Sequence, residues 1–417
     1  MNSSFGMPDK KVAILHYAGP PIVGGVESTI YHHALLLSKS GYDIRIIAGR
    51  GEAFHENISF HLIPEIDSRH PQVLEIGKQL SQGKISSQFE SLRDQLVSHL
   101  SSILNRVDVT IVHNVITLHK NLPLTAALHQ LSEKGMTSFI AWCHDFAWQD
   151  ALYIPDLHPG YPWDLLRTPW PGVRYVVVSK HRQSKLATLL NIPEKDIQVV
   201  TPGVDVSSFL KLEPLTNRLI ESLELLNADP LILLPARITR RKNIEFAIRV
   251  TAALKRTKRK VALLVTGPPG PHNPKNIAYL DALKSLQKEL GVSKQVHFLY
   301  EQGEDGQPLY IPDDVVADLF RLADLLLFPS TREGFGIPVL EAGITCLPVF
   351  AADIPPVRES AANLANLFDL NDDPAEVARS IAKHLVDDRA YQLKRRVLER
   401  FTWQNIVKKQ LISLIET

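Results

Sequence analysis

The sequence predicts an α/β protein built from two similar doubly wound domains that face each other across a cleft. The chain has 417 residues, enough for about two or three domains. Runs of Val, Ile and Leu, typical of strands buried on both faces of a parallel sheet, alternate with helix-like segments. The alternation restarts after a turn at residues 201–205. We therefore expect an N-terminal domain over residues 1–205 and a second domain over residues 206–399.

The first half contains strands and helices in alternation. The strand 11–17 is followed by a helix at 26–40, whose apolar residues recur at helical spacing and which stops before Gly41. The other predicted strands are 43–48, 107–113, 137–142 and 174–178. The other predicted helices are 89–104, 122–134 and 180–190. The segment 150–172 is rich in Pro, Trp and Tyr without a clear period, and we expect a long ordered loop near the cleft.

The second half repeats this organisation. The predicted strands are 230–235, 261–267, 295–299, 324–328 and 348–350, and the clearest predicted helices are 243–255 and 275–290. Two consecutive α/β units of this kind predict two parallel sheets rather than one.

The composition excludes several classes of protein. The 46 Lys and Arg residues balance 45 Asp and Glu residues, which argues against a nucleic-acid binder that works by bulk charge. Two cysteines, Cys143 and Cys346, cannot form a disulfide framework or a Cys-based zinc site. No signal-peptide pattern or membrane-length apolar run is evident. We expect a cytoplasmic protein with at most peripheral membrane contact, in which the basic run 255–260 is a solvated loop.

The segment 329–342 is the most informative part of the sequence. Gly334 and Gly336 let the backbone approach a ligand closely, and the helix that starts near Pro338 offers free N–H groups to an anion such as phosphate. Glu333 and Glu341 flank this turn at the end of a strand, where ligands of open α/β sheets bind. Their carboxylates could accept hydrogen bonds from sugar or ribose hydroxyls. The structural alternative is a glycine-rich turn with a capping glutamate.

Three further groups lie at predicted strand ends. Arg237 and Lys242 could bind one anionic group together, or they could belong to an exposed basic loop. Gly24 and Gly25 precede a helix without a dinucleotide or Walker spacing, and they either cradle a phosphate or form a flexible turn. His144 could hydrogen-bond a substrate hydroxyl or move a proton, or it could be purely structural. The histidines show no spacing of a common metal motif, so we expect no metal site.

With these residues assembled, the chain resembles the retaining glycosyltransferases of family four, which have the GT-B fold. The resemblance covers nearly the whole length and is most specific over residues 231–359. Glu333 and Glu341, within Glu-Gly-Phe-Gly-Ile-Pro-Val-Leu-Glu, are similar to the E-x7-E motif of that family. The resemblance implies two Rossmann-like domains, with a C-terminal helix over about residues 400–417 that crosses back to complete the first domain.

The resemblance also implies a role for each candidate residue. The donor, a nucleoside diphosphate sugar of the GDP-mannose or UDP-glucose type, would be held by the second domain. Arg237 and Lys242 would neutralise the leaving diphosphate, and His144 would contact the donor sugar from the first domain. Glu333 would bind sugar hydroxyls and Glu341 the ribose. The implied catalytic residues are Arg237, Lys242, Glu333 and His144, and the implied substrate-binding residues are Gly24, Gly25, Gly334, Phe335, Gly336, Ile337, Val339 and Glu341.

The expected reaction moves a hexosyl unit to a hydroxyl of a sugar or small-molecule acceptor with retention of configuration. The acceptor would lie against the first domain and the loop 150–172. No cofactor and no metal ion would be needed. Two alternatives stay open, a non-hydrolysing sugar-nucleotide epimerase and a sugar-nucleotide-binding protein without catalysis.

Overall fold

The computed structural model describes residues 10–22, 24–257, 260–271 and 275–417. The first residues of the chain, Val23 beside the glycine pair, and Lys258 and Arg259 of the basic run lie outside the described residues. The chain divides into two compact units, one formed by residues 1–204 with 401–417 and the other by residues 205–400. Each unit contains one parallel sheet.

The first unit is built on a sheet of seven strands in the order β3-β2-β1-β4-β5-β6-β7. The strands are β1 Lys11–His16, β2 Asp43–Ala48, β3 Ile58–Leu62, β4 Val109–His113, β5 Ser138–Cys143, β6 Arg174–Val177 and β7 Ile197–Val199. The helices are α1 Gly25–Lys39, α2 Pro71–Ser81, α3 Ser87–Leu104, α4 Leu122–Glu133 and α5 Lys180–Leu190. Two separate apolar clusters form its core, as expected for a sheet covered on both faces.

The second unit has a sheet of six strands in the order β10-β9-β8-β11-β12-β13. Its strands are β8 Leu231–Leu234, β9 Ala262–Val265, β10 Val296–Phe298, β11 Leu325–Phe328, β12 Val349–Ala352 and β13 Asn366–Phe368. Its helices are α6 Val206–Leu210, α7 Pro214–Ser222, α8 Ile244–Lys255, α9 Lys275–Glu289, α10 Asp313–Leu322, α11 Ile337–Ile344, α12 Pro355–Ala361, α13 Pro374–Asp387 and α14 Arg389–Arg400.

The strand order reverses once in each sheet, between β1 and β4 in the first and between β8 and β11 in the second. At such a switch point the connections that leave two neighbouring strands run to opposite faces of the sheet. A crevice therefore opens at the carboxyl ends of the strands, where open α/β sheets bind their ligands. The topology places one crevice of this kind in each unit.

The last residues of the chain return to the first unit. They form three consecutive helical segments, which pack with α1 against one face of the first sheet. These segments are α15 Trp403–Ile406, a π-helical turn Val407–Leu411 and α16 Ile412–Glu416. Gly203 fits here because a Cβ at its position would lie 2.8 Å from the indole of Trp403. The N–H of Val204 donates to the carbonyl of Phe401 at 2.7 Å. This hydrogen bond joins the segment that leaves the first unit to the segment that returns to it.

The predicted fold class is confirmed, since both halves are doubly wound α/β units. The segment 150–172 is a loop of short helical turns whose Trp163, Leu166 and Trp170 are buried in the first unit. Within the part of the chain that the structure describes, no helix is both long enough and apolar enough to span a bilayer.

Candidate active site

The connection that follows β8 carries Arg237 and Lys242. Its first residues pair with the connection after β9, because the N–H of Gly267 donates to the carbonyl of Ala236 at 3.0 Å and that of Ile238 to Pro268 at 2.9 Å. A Cβ at Gly267 would lie 2.7 Å from the backbone of Arg237, so only glycine permits this approach. The backbone of Arg237 is thereby fixed at the carboxyl edge of the sheet.

The connection that follows β11 contains the glycine-rich turn. Gly336 has φ 94° and ψ 50° immediately before α11, a left-handed conformation that glycine adopts without strain. Pro338 lies in the first turn of α11, as the sequence predicts. Gly334, Phe335 and Ile337 are exposed around this helix start. A ligand at the carboxyl edge would therefore meet free N–H groups and the positive end of a helix.

Glu333 joins the two connections. Its carboxylate accepts a hydrogen bond from the buried Lys242 ammonium and a second, at 2.8 Å, from Nη1 of Arg241. Burial alone would raise the pKa of Glu333, but the hydrogen bonds to its neighbours, with that of Lys242 the largest, and the charge of Lys242 together hold the pKa below its usual value. The N–H of Thr331 also donates to the carbonyl of Arg241 at 2.8 Å. The second unit thus holds an ionised, paired carboxylate at its switch point.

The other predicted residues of the second unit are placed differently. Arg237 is exposed and makes no hydrogen bond or ion pair with the residues that the structure describes. Glu341 is exposed on α11, where partial burial and then the nearby charge of Asp313 raise its pKa. Val339 packs its side chain into the core, so only its backbone could meet a ligand. The geometry joins Lys242 to Glu333 but leaves Arg237 and Glu341 free to face a ligand.

Gly24 and Gly25 lie at the start of α1, in the connection after β1. Gly24 is extended, with φ −176°, and a Cβ there would meet the carboxylate of Glu27 at 2.1 Å. No described atom lies within 4 Å of a Cβ built on Gly25. The turn is therefore open on the side of Gly25 and crowded by a flexible acidic side chain on the side of Gly24.

His144 follows β5 and is held by its neighbours. Its backbone N–H and that of Asp145 both donate to Oδ1 of Asn114, at 3.1 and 3.0 Å, and Asp145 pairs with Arg182 at 3.2 Å. Burial, with the nearby His16, lowers the pKa of His144 to about 4. The imidazole is therefore neutral near pH 7. A neutral imidazole has one donor nitrogen and one acceptor nitrogen, so His144 can hydrogen-bond a ligand but supplies no positive charge.

His144 belongs to a cluster of four histidines that sequence reasoning did not find. Nδ1 of His113 lies 3.4 Å from Nε2 of His144, and Nδ1 of His16 lies 2.8 Å from the carbonyl of His113. The rings of His33 and His113 are 6.0 Å apart. His16 ends β1, His113 ends β4 and His144 follows β5, so the sheet order gathers them. The sequence feature that could have predicted this cluster is a histidine at the end of each of three predicted strands.

We expect this cluster to make the protein sensitive to acid. Burial lowers the pKa of His16 to about 4 and that of His33 to about 3. Below the ordinary pKa of about 6.5 the unfolded chain takes up protons that the folded chain refuses, so stability falls as the pH falls. Between about pH 7 and pH 5 each such histidine should lower the free energy of unfolding, by up to about 1.4 kcal/mol per pH unit below 6.5.

Chemical denaturation at several pH values measures this slope. His33→Leu should reduce the number of protons taken up on unfolding by about one, and the slope of the unfolding free energy against pH should fall accordingly. His99→Gln, at an exposed position on α3, should leave that slope unchanged. An unfolding free energy that is constant between about pH 7 and pH 5 would contradict the neutral state of the cluster.

Two family models match the chain in succession. The model described as Glycosyltransferase Family 4 matches residues 23–208, and the model described as Glycosyl transferases group 1 matches residues 216–400. The boundary between the two matches lies close to the boundary between the two structural units. The first match contains His144 and the glycine pair, and the second contains Lys242, Glu333 and Glu341.

Two relatives are similar to this protein over most of the chain, and a third is similar over less than half of it. A mannosylglucosylglycerate synthase from Thermotoga maritima is 27% identical over 91% of this chain and 90% of its own. An alpha-1,3/1,6-mannosyltransferase ALG2 from Kluyveromyces lactis is 27% identical over 88% of this chain and 73% of its own. A D-inositol 3-phosphate glycosyltransferase from Nocardia farcinica is 30% identical over 43% of this chain and 38% of its own.

Proposed function

The chain belongs to the glycosyltransferases of family four, and from this premise we propose that it is a retaining hexosyltransferase. The donor is a nucleoside diphosphate sugar of the GDP-mannose or UDP-glucose type, and the acceptor is a hydroxyl of a sugar or small molecule. The observation that supports this most is the pairing of Lys242 with Glu333 at the switch point of the second sheet. There the two connections that flank a nucleotide crevice are joined by a buried charge pair.

The proposed donor site uses what this crevice offers. Arg237, exposed and without an ionic partner among the described residues, faces the diphosphate together with Lys242. Glu341, also exposed, accepts hydrogen bonds from the ribose hydroxyls. Glu333 and the backbone from Gly334 to Gly336 bind hydroxyls of the transferred sugar. His144 of the first unit, neutral near pH 7, hydrogen-bonds a substrate hydroxyl.

The chemical step follows from this assignment. The bond between the anomeric carbon and the diphosphate oxygen breaks, and negative charge grows on the departing diphosphate. Arg237, Lys242 and the start of α11 stabilise that charge because they are positive and already in place. The acceptor oxygen attacks the same face of the sugar, and its proton passes to a phosphate oxygen of the leaving group. The anomeric configuration is thereby retained.

The reaction is proposed to need no metal ion or other cofactor, since side chains and a helix start supply the positive charge. Within the described residues, no three side chains of His, Cys, Asp and Glu are grouped so that they could hold a metal. The names of two relatives specify mannosyl compounds, so GDP-mannose is the first donor to test.

A nucleotide panel tests the donor site. We expect GDP or UDP to raise the melting temperature, because a ligand that binds only the folded state stabilises it, by about 2.7 kcal/mol at a hundredfold excess over Kd. Glu341→Gln should weaken binding about tenfold, since an ionised acceptor for two hydroxyls is replaced by a neutral amide. The matched control is Glu289→Gln, at an exposed glutamate at the end of α9. Equal responses from wild type and Glu341→Gln, or no response to any nucleotide, would contradict the assignment.

A further inference from the structure

An open pocket of about 420 Å³ lies in the second unit, at the edge of the sheet opposite the candidate active site. Asp229 forms part of its wall and lies just before β8. The N–H of Asp229 donates to the carbonyl of Lys260, which lies just before β9. The pocket is therefore at the amino ends of the strands, whereas Lys242 and Glu333 follow their carboxyl ends. The proposed reaction does not use it.

One face of α14 forms most of the wall. Residues four apart along a helix lie on the same side of it, and two such rows of α14 line the pocket. The ammonium of Lys394 donates to the carbonyls of Leu322 and Ala323, both at 2.7 Å. It also pairs with Asp324 at 2.8 Å, so α14 is fixed at the amino edge of the sheet. The α14 residues in the wall are Tyr391, Gln392, Arg395, Arg396, Glu399 and Arg400.

A buried cation without a partner lies in this wall. Arg395 is only 8% exposed, and it makes no hydrogen bond or ion pair with any residue that the structure describes. Its Nε is inaccessible to solvent, but Nη1 and Nη2 are accessible, so the end of the guanidinium reaches the surface. Because Arg395 lines the pocket, these two nitrogens face the pocket with their hydrogen bonds unmade.

An unpaired guanidinium at this depth requires a counterion. Arginine stays ionised in proteins, so the cost of its burial cannot be relieved by loss of a proton. Buried charges are normally paired, because removing one from water without compensation is strongly unfavourable. The helix dipole favours a cation in the last turn, such as Arg400, but Arg395 lies more than one turn before the end of α14. An anion in the pocket would supply both the charge and the hydrogen-bond acceptors.

The rest of the wall favours a phosphate ester over a bare ion. Arg396 and Arg400 add two positive charges and Asp229 and Glu399 two negative ones, so with Arg395 the wall carries one net positive charge. Guanidinium groups match the oxygens of a phosphate group. The volume exceeds that of an inorganic ion and is typical of sites for small molecules. The two carboxylates are acceptors for hydroxyl groups of the same ligand.

We propose that this pocket binds a phosphate ester of a small hydroxylated molecule, at a site separate from the donor site. Arg395 donates hydrogen bonds to the phosphate from Nη1 and Nη2, and Arg396 and Arg400 balance its remaining charge. The carboxylate of Asp229 accepts a hydrogen bond from a hydroxyl group. Arg400 is the last residue of the second unit, so the ligand stabilises the helix that leads into the connection at Phe401. The inference goes beyond the proposed function and does not depend on it.

Calorimetric titration of the full chain tests the proposal with four probes: glycerol 3-phosphate, inorganic phosphate, malonate and glycerol. We expect glycerol 3-phosphate to bind at least about tenfold more tightly than glycerol, since hydrogen bonds to charged groups are among the strongest. Inorganic phosphate should bind more weakly than the ester because it lacks the glycerol hydroxyls. Malonate should also bind more weakly, because each of its carboxylates offers two oxygens where the phosphate ester offers three.

Arg395→Met separates loss of the site from loss of the fold. It should weaken the binding of glycerol 3-phosphate at least about tenfold, because the buried donor is removed. Without ligand, its melting temperature should equal or exceed that of wild type, since an unpaired buried charge is replaced by an apolar side chain. Arg389→Met is the matched control and should bind like wild type. Arg389 is an exposed arginine of the same helix that does not line the pocket.

Amide hydrogen exchange locates the bound molecule. Glycerol 3-phosphate should slow exchange in α14 and leave the segment 329–342 of the candidate active site unchanged. Arg237→Met should keep this protection, because Arg237 belongs to the proposed donor site. The proposal is overturned if glycerol 3-phosphate binds no more tightly than the other three probes, or if Arg395→Met binds it like wild type. Protection at 329–342 instead of α14 would overturn it as well.

A nucleotide arm keeps this proposal distinct from the proposed function. The same preparation is titrated with GDP and UDP, and Arg395→Met should bind the nucleotide like wild type. A protein that binds a nucleotide but not glycerol 3-phosphate refutes only the pocket proposal. A protein that binds glycerol 3-phosphate at α14 but no nucleotide supports the pocket and refutes only the proposed function.

Discussion

Lys242→Met should lower kcat at least about 10²-fold at saturating donor. The ammonium of Lys242 is buried and bound to Glu333 at the crevice of the second sheet. It is therefore a fixed positive charge in a site of low dielectric, where loss of one such donor costs roughly 3–4 kcal/mol of transition-state stabilisation. Steady-state kinetics with GDP-mannose or UDP-glucose measure the loss.

The same substitution should destabilise the protein. Removing one partner of a buried pair leaves the other charge uncompensated, at a cost of about 3–5 kcal/mol. Arg241 remains bonded to Glu333, so we expect the lower part of that range. Arg241→Met is the matched control, because it removes a cation from the same carboxylate at an exposed position, where a pair contributes only about 0–1 kcal/mol.

A double variant separates the two effects. Lys242→Met combined with Glu333→Gln should recover most of the lost stability, because no buried charge is left without a partner. It should not recover turnover, since the diphosphate still lacks its cation. A folded Lys242→Met protein with kcat close to that of wild type would contradict the role of Lys242.

Arg237→Met should also lower kcat about 10²-fold or more, but with little change in stability. The side chain of Arg237 is exposed and has no partner among the described residues, so its removal breaks no contact of the folded state. The loss of activity reflects the missing bidentate donor to the diphosphate. Kinetics and thermal denaturation of the same preparation give the two measurements.

Arg240→Met is the control for that experiment. Arg240 is an exposed arginine of the same connection, and its guanidinium lies 5.0 Å from the centre of the Tyr279 ring. We expect it to keep near-normal turnover because its guanidinium already contacts this ring. Equal activities for the Arg237→Met and Arg240→Met variants would remove Arg237 from the diphosphate site.

Sequence patterns predicted the central strands of both sheets and the edge strand β10, and missed the other three edge strands, β3, β7 and β13. β4 is buried at every position and was found as an apolar run. β3 and β13 are edge strands in which most residues are partly or fully exposed, so they carry polar residues and no such run. An edge strand pairs on one side only, and its sequence is less constrained by burial. The number of strands was therefore underestimated although the fold class was right.

The candidate site was predictable where a backbone requirement leaves a mark in the sequence. Gly336 has a positive φ and Pro338 lies in the first turn of α11, and both stand out as residue types. The pairing of Arg241 with Glu333 was not predictable, because three adjacent basic residues differ only in the direction of their side chains. That direction is set by the turn Arg240–Lys242 and by its contact with Thr331.

Proton NMR of the reaction tests the central claim, glycosyl transfer with retention. The full chain is incubated in excess EDTA with GDP-mannose or UDP-glucose, in which the sugar is α-linked, and with glucose 6-phosphate and glucuronate as acceptors. We predict release of the nucleoside diphosphate and an α-linked product, or α-hexose as the first product where water is the acceptor. A β-configured product, activity only after addition of Mg²⁺ or Mn²⁺, or an epimerised sugar without transfer would contradict the account.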